Sequence, residues 1–431
     1  MKTKKLTAIL LALLMVVVLT GCNKSKAPSS GGGEERVSLD FYFMCNDFYD
    51  GALEMVRQFE RLYPNVSVDL AQLTTASCAE ALQPRAAAGA LPDVMSIDAD
   101  TFGSRVADEG LLVDLNNYPA IKANVIPALI GPYTSAGGVF YAVAGGLATN
   151  VLYYNKDIFA SAGITQSDTP ANFEELLALL GKLRSAGQVP LICPASVTFS
   201  SFPNTFWTSG MATNFMAQGV DYGKQIMDGT FNFNVPGYID IYAKVKRISD
   251  LNYFIRGVVS LEYQQATDAF CQGAGAILYG GNWLAGPIFA TADFPVGILR
   301  PTLNNPGQKI GYALGVETGF GAAKNSKEEW SMKFMDFIVN GDGFYIYQNA
   351  RANQPYIVNA NPSRLVMEKE VADYMSEILN DSSAAFGPFW FQVLKSEMFS
   401  EIPITFSQVL SNELTPEQAA RNFNDAYRAS F

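Results

Sequence analysis

The stretch PDVMSIDADTFGSRVADEGLLVDL, residues 92–115, decides the fold class. Its first part, Asp93–Ile97, contains the apolar residues Val94, Met95 and Ile97 and predicts a strand, and a helical pattern follows it. Upstream, apolar and polar residues alternate over 37–43 and again over 66–70, and a helical pattern follows each run. The order strand, helix, strand, helix, strand requires crossover connections. It therefore predicts an α/β protein with a parallel sheet covered by helices.

Three strand ends are candidate ligand-binding positions, because ligands of open parallel sheets bind beyond the carboxyl ends of the strands. These ends are Met44–Tyr49, Asp98–Phe102 and Ala144–Asn150. They carry polar or small residues directly after apolar runs. The sequence therefore places a site along one edge of the sheet.

Composition excludes several classes of function. The chain of 431 residues contains no histidine, so Ser-His-Asp and Cys-His catalysis and His-ligated metals are excluded. Its formal net charge is −11. An acidic chain lacks the basic surface that nucleic acid binding requires. We therefore expect no nucleic acid partner, no metal and no cofactor.

The first 36 residues predict export and attachment to a membrane. Lys2, Lys4 and Lys5 precede an apolar run, Leu6–Leu19, which has the length of a secretory signal rather than of a membrane span. The run ends in LTGC, which resembles a bacterial lipobox, so residues 1–21 are predicted to be a lipoprotein signal peptide and Cys22 to carry lipid. Residues 22–36 are predicted to form a flexible tether. An ordinary signal peptide with an incidental cysteine is the alternative.

The other cysteines are Cys45, Cys78, Cys193 and Cys271. None lies in a CxxC pair, so no redox or zinc-ribbon motif is present. We expect small buried hydrophobic residues, and a Cys45–Cys78 disulfide stays an open alternative.

Several segments resemble one known family. GGVFYAVAGGLATNVLYYNKDIFASAGI (137–164) follows the opening stretch, and further matches occur in the family's order at 172–187, 269–283, 328–343 and 415–429. The set resembles the extracellular solute-binding proteins of family 1. These are sugar-capturing lipoproteins of ABC importers, related to maltodextrin-binding proteins.

The resemblance implies a two-lobed periplasmic-binding-protein-like fold with the ligand cleft between lobes joined by hinge crossings. It places the crossings near 141–146, 298–301 and 354–359. The first lobe would then comprise 37–145 and 300–354, and the second lobe 146–299 and 355–431.

The resemblance also suggests residues of the cleft. Sugars stack on aromatic rings and donate to carboxylate and amide oxygens. The candidate ligand-binding residues are Asn46, Asp47, Asp98, Asp100, Trp207, Tyr279, Trp283 and Trp390. Asp98 or Asp100 could instead cap a helix, and the Phe199–Trp207 cluster could be core or rim. Ala148 stands where the family often has a carboxylate, so one hydroxyl acceptor is missing or supplied elsewhere.

Few cations lie near these positions, so a neutral oligosaccharide is the leading ligand, delivered by a monomer to an ABC permease. A polyamine would also suit carboxylates beside tryptophan. The alternatives from other classes are a glycoside hydrolase, which needs only two carboxylates, and a structural lipoprotein or adhesin.

Overall fold

The computed structural model describes residues 35–44, 48–73, 77–197, 201–352, 356–382 and 384–431. The predicted signal peptide, the lipidated Cys22 and nearly all of the tether lie outside these residues, as do Cys45, Asn46, Asp47 and Phe199.

The strands in chain order are β1 (Val37–Phe43), β2 (Val66–Gln72), β3 (Val94–Ile97), β4 (Ala142–Val143), β5 (Leu147–Asn155), β6 (Leu191–Ile192), β7 (Ile277–Gly281), β8 (Val296–Leu299), β9 (Gly311–Val316), β10 (Gly319–Ala322) and β11 (Ala385–Gly387). They form two sheets, ordered β2-β1-β3-β10-β4 and β11-β9-β5-β7-β6, with β8 paired to β5.

The α-helices in chain order are α1 (Tyr49–Leu62), α2 (Cys78–Ala87), α3 (Thr101–Asp108), α4 (Pro119–Asn124), α5 (Lys156–Ser161), α6 (Phe173–Ser185), α7 (Phe202–Asn214), α8 (Tyr222–Met227), α9 (Pro236–Asp250), α10 (Tyr263–Cys271), α11 (Ala285–Thr291), α12 (Glu328–Asn340), α13 (Asp342–Arg351), α14 (Lys369–Asn380), α15 (Trp390–Val393), α16 (Glu401–Leu410) and α17 (Pro416–Ala429).

The first sheet confirms the predicted parallel arrangement. β1 pairs in parallel with β2 and β3, and their intervening helices are crossover connections. β10 is inserted between β3 and β4 and runs antiparallel to both. Gly319 of β10 lies opposite Ile97, the last residue of β3. A returning segment of chain therefore reaches the sheet at the carboxyl end of its parallel strands.

Two segments connect the sheets side by side. Residues 144–146 lead from β4 to β5, and residues 317–318 lead from β9 to β10. The backbone N–H of Glu317 donates to the carbonyl of Gly146 at 3.0 Å, and Leu147 pairs with Val316. Side-chain contacts fix the second segment, because Glu317 forms a buried ion pair with Arg351 at 2.8 Å.

Separate hydrophobic cores define two lobes within the compact unit 37–431. The core of the first lobe is drawn from residues 39–144 and 316–357. The second lobe has its main core from residues 152–303 and 393–427, and a further cluster lies beside α14. The chain is thus an α/β protein of two lobes joined by crossing segments.

Two crossings differ from their predicted positions. Leu303 and Tyr312 pack into the cores of the second lobe, and β9 pairs with β5 and β11 there. The chain therefore crosses at 316–319 rather than 298–301. The third crossing also comes later, because Ile357 and Leu365 still pack on the first lobe. We propose lobe boundaries of 37–145 with 317–365, and 146–316 with 369–431.

Side chains cap the start of α6. Asn172 caps α6 by accepting a hydrogen bond from the N–H of Glu175 at 3.1 Å, and the N–H of Ala171 donates to the Glu175 carboxylate at 2.8 Å. Side chains at Asn172 and Glu175 thereby satisfy two N–H groups near the start of the helix.

Among the described residues, every helix is too short or too polar to cross a bilayer. The same part of the chain holds no group of three or more His, Cys, Asp or Glu side chains arranged to bind a metal ion. Cys78, Cys193 and Cys271 are buried free cysteines.

Candidate functional site

A cavity of about 590 Å³ lies between the lobes. The first lobe contributes the start and one face of α3, with the side chains of Asp100, Ser104 and Arg105. The second lobe contributes Met227, at the end of α8, and Gln392, in α15. Because both lobes supply walls, a ligand held here would contact both.

Asp100 is the buried carboxylate of this cavity. One of its oxygens, Oδ1, accepts a hydrogen bond from the N–H of Gly103 at 2.7 Å and thereby caps α3. The other oxygen, Oδ2, is buried and has no hydrogen-bond partner among the described residues. The residue is only 6% exposed. Burial, followed by the charge of Asp98, raises the pKa of Asp100 to about 7.

Asp98 holds the crossing segment instead of lining the cavity. Its Oδ2 accepts from the backbone N–H of Cys78 at 2.9 Å, and its Oδ1 accepts from the Thr318 hydroxyl at 2.7 Å. Burial raises the pKa of Asp98, and these hydrogen bonds oppose that shift. Since both oxygens have partners within the protein, the predicted contact of Asp98 with ligand is replaced by a positioning role.

The groups around the two carboxylates leave the site acidic. Burial raises the pKa of the Cys78 thiol and of the Tyr133 and Tyr141 hydroxyls, so these groups are neutral near pH 7. Arg105 lines the cavity, but it pairs with Glu109 at 2.8 Å.

An aromatic cluster lies on the second lobe beside Gln392. We call Trp283, Phe389, Trp390 and Phe391 the aromatic cluster. Phe389 is its buried centre, with ring centroids 6.1 Å from Trp283 and 5.8 Å from Trp390. Trp390 meets Phe391 edge to face at 5.0 Å. The cluster packs on Ala148 and Ala313. Trp283 and Trp390, predicted separately, therefore belong to one surface, and both are half-buried.

Local packing fixes the ring of Trp283. Its Nε1–H donates to the Tyr263 hydroxyl at 2.9 Å. A side chain at Gly281 would overlap the ring, since a Cβ there would lie 2.1 Å from its Cζ3. The glycine therefore permits the ring to fold back over the end of β7, and the hydroxyl sets its orientation.

Two predicted ligand contacts are wrong because the side chains belong to the core. Trp207 is fully buried, and its Nε1–H donates to the Tyr238 hydroxyl at 3.0 Å. Tyr279 is 2% exposed, and its ring packs against Phe202 and Phe206 with centroids 5.3 and 5.8 Å away. Neither ring has a face available for a ligand. The other reading of the Phe199–Trp207 cluster, as core, holds for Phe202, Phe206 and Trp207.

Sequence reasoning did not identify Met227 or Gln392. Met227 is 55% exposed and carries no motif that marks it. Gln392 carries only half of a capping-box pattern, a Gln three residues after the N-cap, because Phe389 at the N-cap has no side-chain acceptor. Its Oε1 accepts from the N–H of Phe389 at 3.0 Å. The predicted site residues Asn46 and Asp47 lie outside the described residues.

Comparison with known proteins agrees with this architecture. The family described as bacterial extracellular solute-binding protein matches residues 46–341. A galactooligosaccharide-binding protein of Bacillus subtilis (strain 168) is 24% identical over 385 residues, which are 85% of this chain and 86% of that protein. The maltodextrin-binding protein MdxE of the same strain is 25% identical over 367 residues, covering 80% and 78%.

A solved structure of a chitin oligosaccharide binding protein has the same fold, with a TM-score of 0.77 at 20% identity, over 91% of this chain and 98% of that chain. The family match covers more than half of the sequence, and the two-lobed fold agrees with it. The chain belongs to the bacterial extracellular solute-binding protein family.

Proposed function

We propose that this protein captures an oligosaccharide between its two lobes, outside the cytoplasmic membrane, and delivers it to an ABC permease. The observation that supports this proposal most strongly is the cavity lined by both lobes. The first lobe contributes a buried carboxylate, and the second contributes Gln392, next to the aromatic cluster. Family members are solute-binding proteins, so the chain is a binding protein and not an enzyme.

The chemistry of the cavity and of the neighbouring aromatic cluster supports a sugar, although Trp283 and Trp390 are not among the residues that line the cavity. The half-buried rings of Trp283 and Trp390 offer apolar faces for the C–H side of a pyranose. Asp100 Oδ2 offers an acceptor for a hydroxyl group, and the N-cap hydrogen bond holds that oxygen in place. The relatives that bind galactooligosaccharide and maltodextrin support an oligosaccharide over a monosaccharide.

A screen by thermal shift tests the proposal. Raffinose, maltotriose, xylotriose and triacetylchitotriose cover four linkage types. A trisaccharide at 100 times its dissociation constant adds about 2.7 kcal/mol to the free energy of unfolding. Chromatography of the bound sugar should return it intact. No stabilisation by any saccharide, up to millimolar concentration, would contradict an oligosaccharide ligand.

A polyamine is the second candidate, and the acidic wall favours it. Asp100 has an oxygen without a partner, and Arg105 is paired with Glu109. Spermidine in the same screen distinguishes a polyamine from an oligosaccharide as the ligand. If spermidine stabilises the protein, if this effect vanishes at high salt, and if no sugar has an effect, the ligand is a polyamine.

Membrane attachment through Cys22 is part of the proposal. Acyl chains anchor a protein by burying hydrocarbon in the bilayer. Cys22→Ser should therefore move the protein from the membrane fraction to the soluble fraction. Partitioning of that variant into detergent at the wild-type level would refute lipidation at this residue.

A further inference from the structure

Asp100 and Gln392 come from different lobes, line the same cavity, and share one peculiarity. Each side chain has two polar atoms, and a backbone N–H occupies one of them. Gly103 donates to Asp100 Oδ1 at 2.7 Å, and Phe389 donates to Gln392 Oε1 at 3.0 Å. The atoms left over are an acceptor, Asp100 Oδ2, and a donor group, Gln392 Nε2.

The capping contacts fix which atom each residue presents. In Gln392 the N–H of Phe389 requires an acceptor, so the amide oxygen faces the backbone and the NH₂ group faces away. Gly315 makes room for this arrangement, because a Cβ there would lie 2.3 Å from Gln392 Oε1. No described residue accepts a hydrogen bond from Nε2. In Asp100 the buried Oδ2 likewise has no described partner.

We propose that Asp100 and Gln392 form an acceptor–donor pair across the cleft that binds one hydroxyl group of the captured solute. This inference rests on the proposed function and deepens it, since it assigns the group on the solute that both lobes recognise. When the Asp100 carboxyl is ionised, the hydroxyl donates a hydrogen bond to Asp100 Oδ2, and its oxygen accepts a hydrogen bond from Gln392 Nε2.

A hydroxyl is the group that fits both atoms at once, because it is a donor and an acceptor. An ether oxygen could satisfy Gln392 but not Asp100, and an ammonium group could satisfy Asp100 but not Gln392. A solute that lacks this hydroxyl leaves a buried oxygen without a partner, which such a site rejects strongly. Gln392 is therefore a specificity-determining residue.

The pairing predicts a swap that a merely structural role would not. In Asp100→Asn, the N–H of Gly103 should donate its hydrogen bond to the amide oxygen, which places the NH₂ group at the position of Oδ2. In Gln392→Glu, the N–H of Phe389 should retain one carboxylate oxygen and leave the other facing the cavity. The double variant thus restores a donor and an acceptor with the lobes exchanged.

The first measurement is the binding affinity by calorimetry, with the trisaccharide that stabilises the wild type most. Each single variant should bind it at least about 10-fold more weakly. The double variant should recover at least about 10-fold relative to Gln392→Glu. Losses that simply add in the double variant, or an unchanged affinity in Gln392→Glu, overturn the inference while the proposed function stands. No binding of any trisaccharide by the wild type contradicts the proposed function instead.

A titration of the sugar-free protein tests the pair independently. The Asp100 carboxyl is followed by ¹³C resonance, assigned with Asp100→Asn. Gln392→Glu places a second carboxylate across the cavity, so the Asp100 midpoint should rise by at least about 0.5 pH unit. An unchanged midpoint overturns the inference, whatever the sugar data show. The titratable or charged groups already near Asp100 are those of Cys78, Asp98, Arg105, Asp108, Glu109, Tyr133 and Tyr141.

Gln418→Glu is the matched control. Gln418 accepts from the N–H of Thr415 at 2.9 Å in a capping box at the start of α17, as Gln392 does from Phe389. It is not among the residues that line the cavity. Its substitution adds the same charge to the same kind of cap, so affinity and the Asp100 midpoint should both stay at the wild-type value.

Discussion

Replacing Asp100 by Asn should stabilise the protein above neutral pH. The carboxyl has a pKa of about 7 in the folded protein, against an ordinary value of 3.8. The folded state therefore binds the proton more tightly than the unfolded state. For a raised pKa, the stabilisation is complete below about pH 4 and is lost as the pH rises through 7. Asn keeps the cap to Gly103 and cannot ionise.

The expected size follows from this difference in pKa. The shift in pKa means that the folded state is about 4 kcal/mol less stable with Asp100 ionised than with Asp100 protonated. Asp98 interacts with Asp100 and takes part in the same titration, so we expect about 2–4 kcal/mol of added stability for Asp100→Asn at pH 8. At pH 4 the two proteins should be almost equally stable, because the wild-type carboxyl is then protonated.

Urea unfolding at pH 4, 6 and 8 measures the effect. The gap between Asp100→Asn and the wild type should widen with pH. The control is Asp114→Asn, whose carboxylate accepts from the N–H of Asn116 at 3.0 Å at the start of a short turn. A gap that stays constant from pH 4 to 8, or a variant less stable than the wild type at pH 8, would refute the electrostatic reasoning.

Three further substitutions separate ligand contacts from core packing. Trp390→Ala should weaken trisaccharide binding ~30- to ~700-fold, or roughly 2–4 kcal/mol, with a smaller loss of stability than Trp207→Ala because the Trp390 ring is only half-buried; calorimetry that finds full affinity would exclude stacking on this ring. Trp207→Ala should instead cost roughly 3–5 kcal/mol of stability in urea unfolding, because the ring is fully buried, and a loss below 1 kcal/mol would contradict that placement. Gly286→Ala places a Cβ 2.4 Å from the carbonyl oxygen of Ala350 in the other lobe, so calorimetric unfolding should show a loss of about 1–3 kcal/mol. Gly131→Ala, with open space at its Cβ, serves as its control and should change little.

Local patterns predicted the local elements well. The alternation over 37–43 matches β1, because this pattern depends on residues near in sequence. The capping alternative for Asp100 was also correct. That Asp100 also lines the cavity could not be read locally, because it depends on Met227 and Gln392 in the other lobe.

The errors have the same origin. Trp207 resembled a site residue because its stretch is polar and aromatic, but Tyr238 and Phe233 pack around it. The resemblance placed the second crossing too early, at 298–301, and the stretch 301–307 lies beyond that point. It is a loop within the second lobe, and only the pairing of β9 with the distant β5 reveals this.

The insertion of β10 between β3 and β4 determines when the chain can fold during synthesis. The hydrogen bond from Thr318 to Asp98 joins residues 220 positions apart, and β9 must pair with β5 before the second sheet is complete. A chain that emerges from its amino end therefore cannot close either lobe until most of it has been made. Contacts this distant in sequence slow folding. Such a delay suits a protein that leaves the cell, because the chain stays unfolded, and can pass through the membrane, until export is nearly complete.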